Sequence, residues 1–157
     1  MVTRLSPDAK VLLTTAAQEA RRRGDRRLGT DHLLLALLHD ADSGAARALG
    51  VDLGAARAAS DSLDREALAA VGVNVAHLGA PPLSTVARRL LPLTSGARAV
   101  LKAAVEQTHR AKRPRIETRH FLLALLARDC PDPAAELLMA LSVKREQVRS
   151  RLESSSH

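Results

Sequence analysis

The sequence predicts an all-α fold made of two copies of one structural unit. Leu5–Leu38 aligns on Leu93–Leu126 without a gap, and 13 of these 34 aligned positions are identical. Repetition at a fixed offset, here 88 residues, is typical of a duplicated unit. Apolar residues make up 46% of the chain, mainly Ala, Leu and Val, which favour closely packed helices. Runs of β-branched and aromatic residues, which would indicate strands, are missing from the sequence.

Local signals predict the first helix. Ser6 is expected to be its N-cap, Pro7 suits the first helical position, and Asp8 complements the helix dipole there. Apolar residues at helical spacing predict one buried face: Ala9, Leu12, Leu13, Ala16, Ala17 and Ala20. We expect this helix to end near Arg23.

Three shorter helices are expected to complete the first copy. Thr30 is expected to cap the second helix, a third should cover Ala45–Leu49, and Asp52 should cap a fourth. Isolated glycines are interpreted as helix stops: Gly24, Gly44 and Gly50.

The second copy repeats these signals. Thr94 and Thr118 are expected to cap its first two helices. Apolar residues are expected to face inward from these helices: Ala97, Val100, Leu101, Ala104, Val105, Phe121, Leu122, Leu125 and Leu126. Two further helices are expected near Pro133–Leu141 and Lys144–Leu152.

The repeat also predicts the domain organisation. We expect a first repeat over 1–63, an inter-repeat segment over 64–92, a second repeat over 93–153 and a disordered tail over 154–157. Within the middle segment, Asp64 could cap a helix over Arg65–Val71, and Ser84–Leu91 could form a helical turn or two. Because a four-helix unit of this size is marginal alone, we expect the copies to pack about a pseudo-twofold axis.

Composition limits the classes of function. The formal net charge is +7, which fits either a solvated Arg-rich surface or an anionic partner. The single Cys130 excludes an internal disulfide and fits a reducing compartment. The sequence shows neither a signal-peptide core nor an apolar run of about 20 residues, so we expect a cytoplasmic protein without a membrane partner.

The residues around the second helix of each copy resemble a known family. Leu28–Leu38 reads LGTDHLLLALL, and Ile116–Leu126 reads IETRHFLLALL. Both are similar to the "(I/L)GTEH(I/L)LLGLL" core of the Clp N-terminal repeat, and Ala45–Val51 resembles the third helix of that repeat. The resemblance covers about nine-tenths of the chain and departs from the family in the middle segment.

The resemblance implies a binding function without catalysis. In this family the double repeat lies at the N-terminus of Clp-type ATPase chaperones and receives substrates and adaptor proteins. The sequence has no G-x-x-x-x-G-K-[ST] phosphate loop, so it looks like a freestanding Clp N-domain protein. It could be an adaptor that delivers proteins for proteolysis, or a decoy that sequesters substrates, adaptors or small-molecule ligands.

The resemblance also implies a candidate ligand site. Some Clp N-domains bind phosphoarginine through a hydroxyl at the start of the first helix and an acid at the "GTEH" position. Carried over by position, these residues are Ser6 and Asp31 in the first copy, and Thr94 and Arg119 in the second. Arg119 is a cation that would repel a guanidinium, so we expect the second site to be altered. The alternative is that these residues are only helix caps and first-turn residues.

Other chemistries find less support in the sequence. His32 and His120 occupy matching positions and are interpreted as packed structural histidines, and no Cys/His pattern predicts a metal or a cofactor. No G-x-S-x-G elbow occurs, and Cys130 has no basic partner that the sequence can establish, so no catalytic residue is predicted. Basic stretches at Arg21–Arg27 and Arg110–Arg115 leave nucleic-acid binding as a less favoured alternative.

Overall fold

The computed structural model describes residues 4–72, 91–110, 112 and 115–154, and within these ranges it contains eight helices and two very short strands. The elements in chain order are β1 (Arg4–Leu5), α1 (Pro7–Arg22), α2 (Thr30–Leu37), α3 (Gly44–Leu49), α4 (Leu53–Ala70), α5 (Ser95–Arg110), β2 (Arg115–Ile116), α6 (Thr118–Leu126), α7 (Pro133–Ala140) and α8 (Arg145–Ser154). The predicted all-α fold is confirmed.

Backbone pairing relates the two copies by a pseudo-twofold axis. Leu5 of β1 pairs in parallel with Ile116 of β2, and Leu28 forms a parallel bridge with Leu93. At the offset of 88 residues, Leu5 corresponds to Leu93 and Leu28 to Ile116. Each contact is therefore the image of the other with the copies exchanged. The sequence did not predict these pairings, because two-residue strands carry no recognisable strand pattern.

A single apolar core runs through both copies. The buried face of α1 packs against α2 and that of α5 against α6, and α2 also contacts α6 and α7. The predicted inward residues belong to this cluster, except Ala20, which is buried outside it. Leu13, Leu101 and Val105 are only partly buried and pack against its edge. The largest completely buried side chain in the described residues is Phe121. The packing therefore joins the repeats into one hydrophobic unit.

Three of the six predicted helix caps are confirmed. Ser6, Asp52 and Thr94 each accept a hydrogen bond from a backbone N–H three residues later. Gly50 ends α3 in the left-handed region, with φ of 69°. The last two helices match the predicted ranges to within one or two residues, although Ser154 lies in α8 and not in the tail.

Four local predictions are wrong. Thr30 and Thr118 are the first helical residues and do not cap. The N-caps are the residues before them, Gly29 and Glu117, because the N–H of each donates to the histidine three positions later. Gly44 begins α3 and does not end a helix, because Ser43 caps α3. Asp64 starts no helix, because α4 runs unbroken from Leu53 to Ala70. The helical turn predicted at 84–91 lies outside the described residues except for Leu91.

Candidate binding site

The candidate residues lie where the two copies meet, at the starts of α1, α2, α5 and α6. The Ser6 N–H donates to the carbonyl of Ile116 at 3.0 Å, and the Thr94 N–H donates to the carbonyl of Leu28 at 3.0 Å. The start of α1 therefore adjoins the start of α6, and the start of α5 adjoins that of α2. The backbone of Ser6 is therefore bonded near the acid position of the second copy and that of Thr94 near the acid position of the first, whereas the sequence interpretation grouped Ser6 with Asp31 of its own copy.

Ser6 and Thr94 have the same local geometry. Ser6 Oγ accepts from the Ala9 N–H, and Thr94 Oγ1 accepts from the Ala97 N–H, each at 3.1 Å. Each hydroxyl uses its acceptor capacity in this cap. A hydroxyl also carries one O–H donor, which is the group that can reach a ligand.

Asp31 lies in a network of charges centred on Arg23. Arg23 Nη1 donates to Asp31 Oδ2 and to Ser60 Oγ, both at 2.8 Å, and Asp25 and Asp64 also pair with this guanidinium. The Arg23 side chain is only 6% exposed, against 15% for Asp31. The carboxylate of Asp31 therefore already holds a guanidinium from its own chain.

The second oxygen of Asp31 lies beside Gly29, and Thr94 of the other copy is also close to this glycine. A Cβ on Gly29 would lie 2.7 Å from Asp31 Oδ1 and 3.7 Å from Thr94 Cγ2. Gly29 is therefore close both to the carboxylate of Asp31 and to the methyl group of Thr94. In the second copy Arg119 occupies the acid position and is half-buried, and the sequence has Ala111 where the first copy has Arg23. The second copy therefore has a cation at the acid position and lacks the arginine that pairs with Asp31 in the first copy.

The paired histidines have a structural role, as predicted. Nδ1 of His32 accepts from the Gly29 N–H, and Nδ1 of His120 accepts from the Glu117 N–H, both at 2.9 Å. His32 Nε2 also donates to Asp25 Oδ2 at 2.7 Å. Burial raises the pKa of Asp25, but this hydrogen bond and the charge of Arg23 outweigh burial and lower the pKa below its ordinary value.

Comparison with known proteins agrees with this fold. Residues 2–52 match the family model of the Clp repeat N-terminal domain. The crystal structure of the N-terminal domain of the caseinolytic protease associated chaperone ClpD from Arabidopsis thaliana superimposes with a TM-score of 0.75 at 20% identity, over 98% of both chains. The first repeat therefore matches the model of the Clp repeat family, and the described chain has the fold of a Clp N-terminal domain. The Hsp104 N-terminal domain from Candida albicans matches with a TM-score of 0.63 at 15% identity, over 95% of this chain and 89% of that one.

One charged site within this fold was not predicted from the sequence. Glu19 is 1% exposed, and its Oε1 accepts from Arg57 Nη2 at 2.5 Å and from His39 Nε2 at 2.7 Å. Oε2 accepts from Arg22 Nε at 3.2 Å. Burial raises the pKa of Glu19, but the hydrogen bonds from Arg57, His39 and Arg22 outweigh burial and lower the pKa from 4.5 to about 2. The sequence feature that could have indicated this site is a charged residue, Glu19, directly beside the alanines on the buried face of α1.

Two of the five arginines in the first basic stretch pair with carboxylates within the domain. Arg22 pairs with Glu19 and lies 3.9 Å from Asp61, and Arg23 is surrounded by carboxylates. These two guanidinium groups are therefore committed to internal contacts and are not arranged as a phosphate-binding patch. Residues 111, 113 and 114 of the second basic stretch lie outside the described residues.

Two general features of the described ranges bear on function. No group of three or more His, Cys, Asp or Glu side chains is placed there to hold a metal ion. Within the same ranges, no helix is long and apolar enough to cross a membrane.

Proposed function

We propose that this Clp N-terminal domain is a non-catalytic module that binds protein substrates or adaptors of a Clp-type ATPase. The observation that carries the proposal is the double repeat itself, whose fold matches a chaperone N-domain over 98% of both chains. In the family, this double repeat receives substrates and adaptors for the ATPase ring. We also propose that the protein is cytoplasmic, because it would encounter such an ATPase ring there.

The adaptor and decoy roles predict opposite effects on degradation. In a reconstituted reaction with a Clp ATPase–protease pair from the same organism, an adaptor accelerates degradation of a protein substrate. A decoy slows degradation, and additional substrate or adaptor protein restores the rate. An unrelated basic protein of similar size and net charge controls for charge alone. Absence of any effect on the rate, together with absence of binding to ring and substrate, would contradict both roles.

Phosphoarginine is proposed as a ligand of the site formed by Asp31 and Thr94. The closeness of both residues to Gly29 supports it, since a carboxylate matches a guanidinium and an O–H can donate to phosphate. Arg23 opposes it, because its guanidinium lies on Asp31 Oδ2. A phosphoarginine bound to this oxygen would therefore have to displace Arg23.

Titration with phosphoarginine tests this ligand. We expect binding by the wild type, loss of binding in Asp31→Ala, and tighter binding in Arg23→Gln, which removes the competing guanidinium. Asp42→Ala, an exposed acid in the turn after α2, serves as the control and should bind like the wild type. Equal and negligible binding by the wild type and Asp31→Ala would refute the phosphoarginine proposal and leave the module proposal standing.

Nucleic-acid binding is not favoured, because Arg22 and Arg23 are held by carboxylates. An electrophoretic shift assay with duplex DNA at low salt provides the check. An affinity for duplex DNA that falls steeply as the salt concentration rises would support nucleic-acid binding.

A further inference from the structure

A buried polar contact fills the junction between α2, α5 and α7. Thr30 Oγ1 donates to Asp132 Oδ1 at 2.7 Å, and Arg128 Nε donates to Asp132 Oδ2 at 3.0 Å. Gly96 of α5 faces this pair, because a Cβ there would lie 2.9 Å from Asp132 Oδ2 and 3.7 Å from Arg128 Nη2. At this junction the chain supplies both a carboxylate and the guanidinium that neutralises it.

The pseudo-twofold axis predicts an equivalent junction between α6, α1 and α3. At the offset of 88 residues, Gly96, Thr30 and Arg128 correspond to Asp8, Thr118 and Asp40, and the α7 cap Asp132 corresponds to the α3 cap Ser43. All four equivalents line one cavity of about 130 Å³. The first junction is thus packed with side chains, whereas its image is open.

The cavity is acidic, whereas the charges at the filled junction neutralise each other. Asp8 replaces a glycine, Asp40 replaces the arginine, and both are exposed at the rim. His39 is the other titratable group in the lining, and its Nε2 is engaged by Glu19. The cavity therefore presents two carboxylates without the cation that the second copy carries in Arg128.

The remaining lining suits a partly apolar side chain. The floor is formed by buried apolar residues, and three hydroxyls complete the wall: Leu12, Ala36, Leu37 and Ala45, then Thr15, Ser43 and Thr118. Val11 extends the rim and is 63% exposed, so it offers apolar surface to a chain that passes over the opening. A cavity of roughly 150 Å³ holds a molecule as large as benzene, so this one can admit a guanidinium head.

We propose that this cavity binds the guanidinium of an unmodified arginine side chain in a bound polypeptide. The guanidinium would take the place that Arg128 occupies at the image junction, between the carboxylates of Asp8 and Asp40, which match its planar array of donors. A phosphorylated arginine is excluded here, because its phosphoryl group would meet two carboxylates. The assignment rests on the molecule's own geometry and does not depend on the proposed function.

Titration followed by amide chemical shifts tests the proposal directly. The probe is the peptide acetyl-Gly-Arg-Gly-amide at low ionic strength, compared with the same peptide carrying uncharged citrulline and with methylguanidine. We expect saturable shifts of the amides that line the cavity with the arginine peptide, none with the citrulline peptide, and weaker binding of methylguanidine. Equal binding of the citrulline peptide would overturn the guanidinium assignment. Equal affinity for methylguanidine would overturn the assignment to a polypeptide.

Variants of one rim position complete the test. Asp40→Arg supplies the residue of the second copy and should abolish binding, while Asp40→Asn should weaken it by roughly two- to fivefold, the range expected of one exposed ion pair. Asp42→Asn carries the same charge change outside the lining and should bind like the wild type. Thermal unfolding verifies that each variant folds. Unchanged affinity in Asp40→Asn, or binding equally weakened in Asp42→Asn, would overturn the proposal.

Discussion

The ionised form of the buried Glu19 is stabilised by contacts with residues far from it in sequence. It lies in α1, while Arg57 comes from α4 and His39 follows α2. A carboxylate removed from water requires such partners, because the desolvation penalty of an unpaired charge amounts to several kcal/mol. The second copy has Gln107 at this position. The ion cluster is therefore specific to the first copy.

Replacing Glu19 by Gln, the residue of the second copy, should destabilise the fold. The change keeps the size of the side chain but leaves Arg57 and Arg22 without their carboxylate, so we expect a loss of about 2–4 kcal/mol in the free energy of unfolding. Urea denaturation measures the change. Glu66→Gln, on the exposed face of α4, is the control, and a loss no larger than in that variant would contradict the structural role.

The lowered pKa of Glu19 also predicts how stability depends on pH. Its pKa of about 2 in the folded state lies below the ordinary value of 4.5, so the unfolded state takes up the proton first as the pH falls. The stabilisation is complete above pH 4.5, is lost between pH 4.5 and about 2, and amounts to about 3 kcal/mol at most.

Urea denaturation of the wild type and Glu19→Gln at a series of pH values measures this effect. The difference between their stabilities should shrink across the window from pH 4.5 to about 2. A difference that stays constant over this window would show that Glu19 does not cause the loss.

At the scale of single residues, contacts made within one turn were predictable and distant ones were not. Ser6 and Asp52 cap helices because their partners lie three residues away. The Arg23–Asp31 pair depends on where the loop between α1 and α2 places Arg23, and no local pattern encodes that position. Thr30 was mistaken for a cap because the sequence alone does not show which residue pairs with His32.

At the scale of elements, the two copies end their third helices with different residues in the same conformation. Gly50 after α3 has φ of 69°, and Ser142 after α7 has φ of 56°. This left-handed region costs residues other than glycine about 1–2 kcal/mol. The second copy therefore carries a strain that the first copy avoids.

Replacing each of these residues by its counterpart in the other copy should change the free energy of unfolding in opposite directions. Ser142→Gly relieves the strain and should stabilise by about 0.5–1 kcal/mol, because the greater freedom of glycine in the unfolded chain offsets part of the gain. Gly50→Ser should destabilise by about 1 kcal/mol or more, since its Cβ would also lie 3.2 Å from Arg151 Nη1. Urea denaturation measures both variants, and a destabilised Ser142→Gly would contradict this explanation.

Helix positions were more predictable than the contacts between elements. The bounds of α1 follow from a cap, a proline and an apolar face that are all visible in the sequence. The pairing of β1 with β2 rests on two residues from each copy, and it arises from the packing of the copies rather than from strand propensity. Likewise, α4 continues through Asp64 because that side chain pairs with Arg23 and does not cap.

At the scale of the whole molecule, the repeat predicted the architecture because both copies keep the same core positions. It did not predict the binding surfaces, where the copies differ most. Asp31 and Arg119 are opposite in charge, and so are Asp40 and Arg128. Duplication has therefore produced a symmetric scaffold with two unlike faces, and binding is expected to be asymmetric.

The shared core predicts that neither copy folds alone. A fragment covering residues 1–72 would lose the backbone bonds of Ser6 to Ile116 and of Leu28 to Pro92, as well as the buried contact from Thr30 to Asp132. It would also expose the apolar face that α2 packs against the second copy. Chains of this size bury only about 60% of their unfolded surface even when they fold well, so stability is marginal before these losses.

We expect weak helical circular dichroism and no cooperative melting for this fragment. Mixing it with residues 91–157 should restore the helical signal and the cooperative melting. If the isolated fragment unfolded cooperatively at the melting temperature of the whole domain, the repeats would be independent folding units that contact each other only through their surfaces.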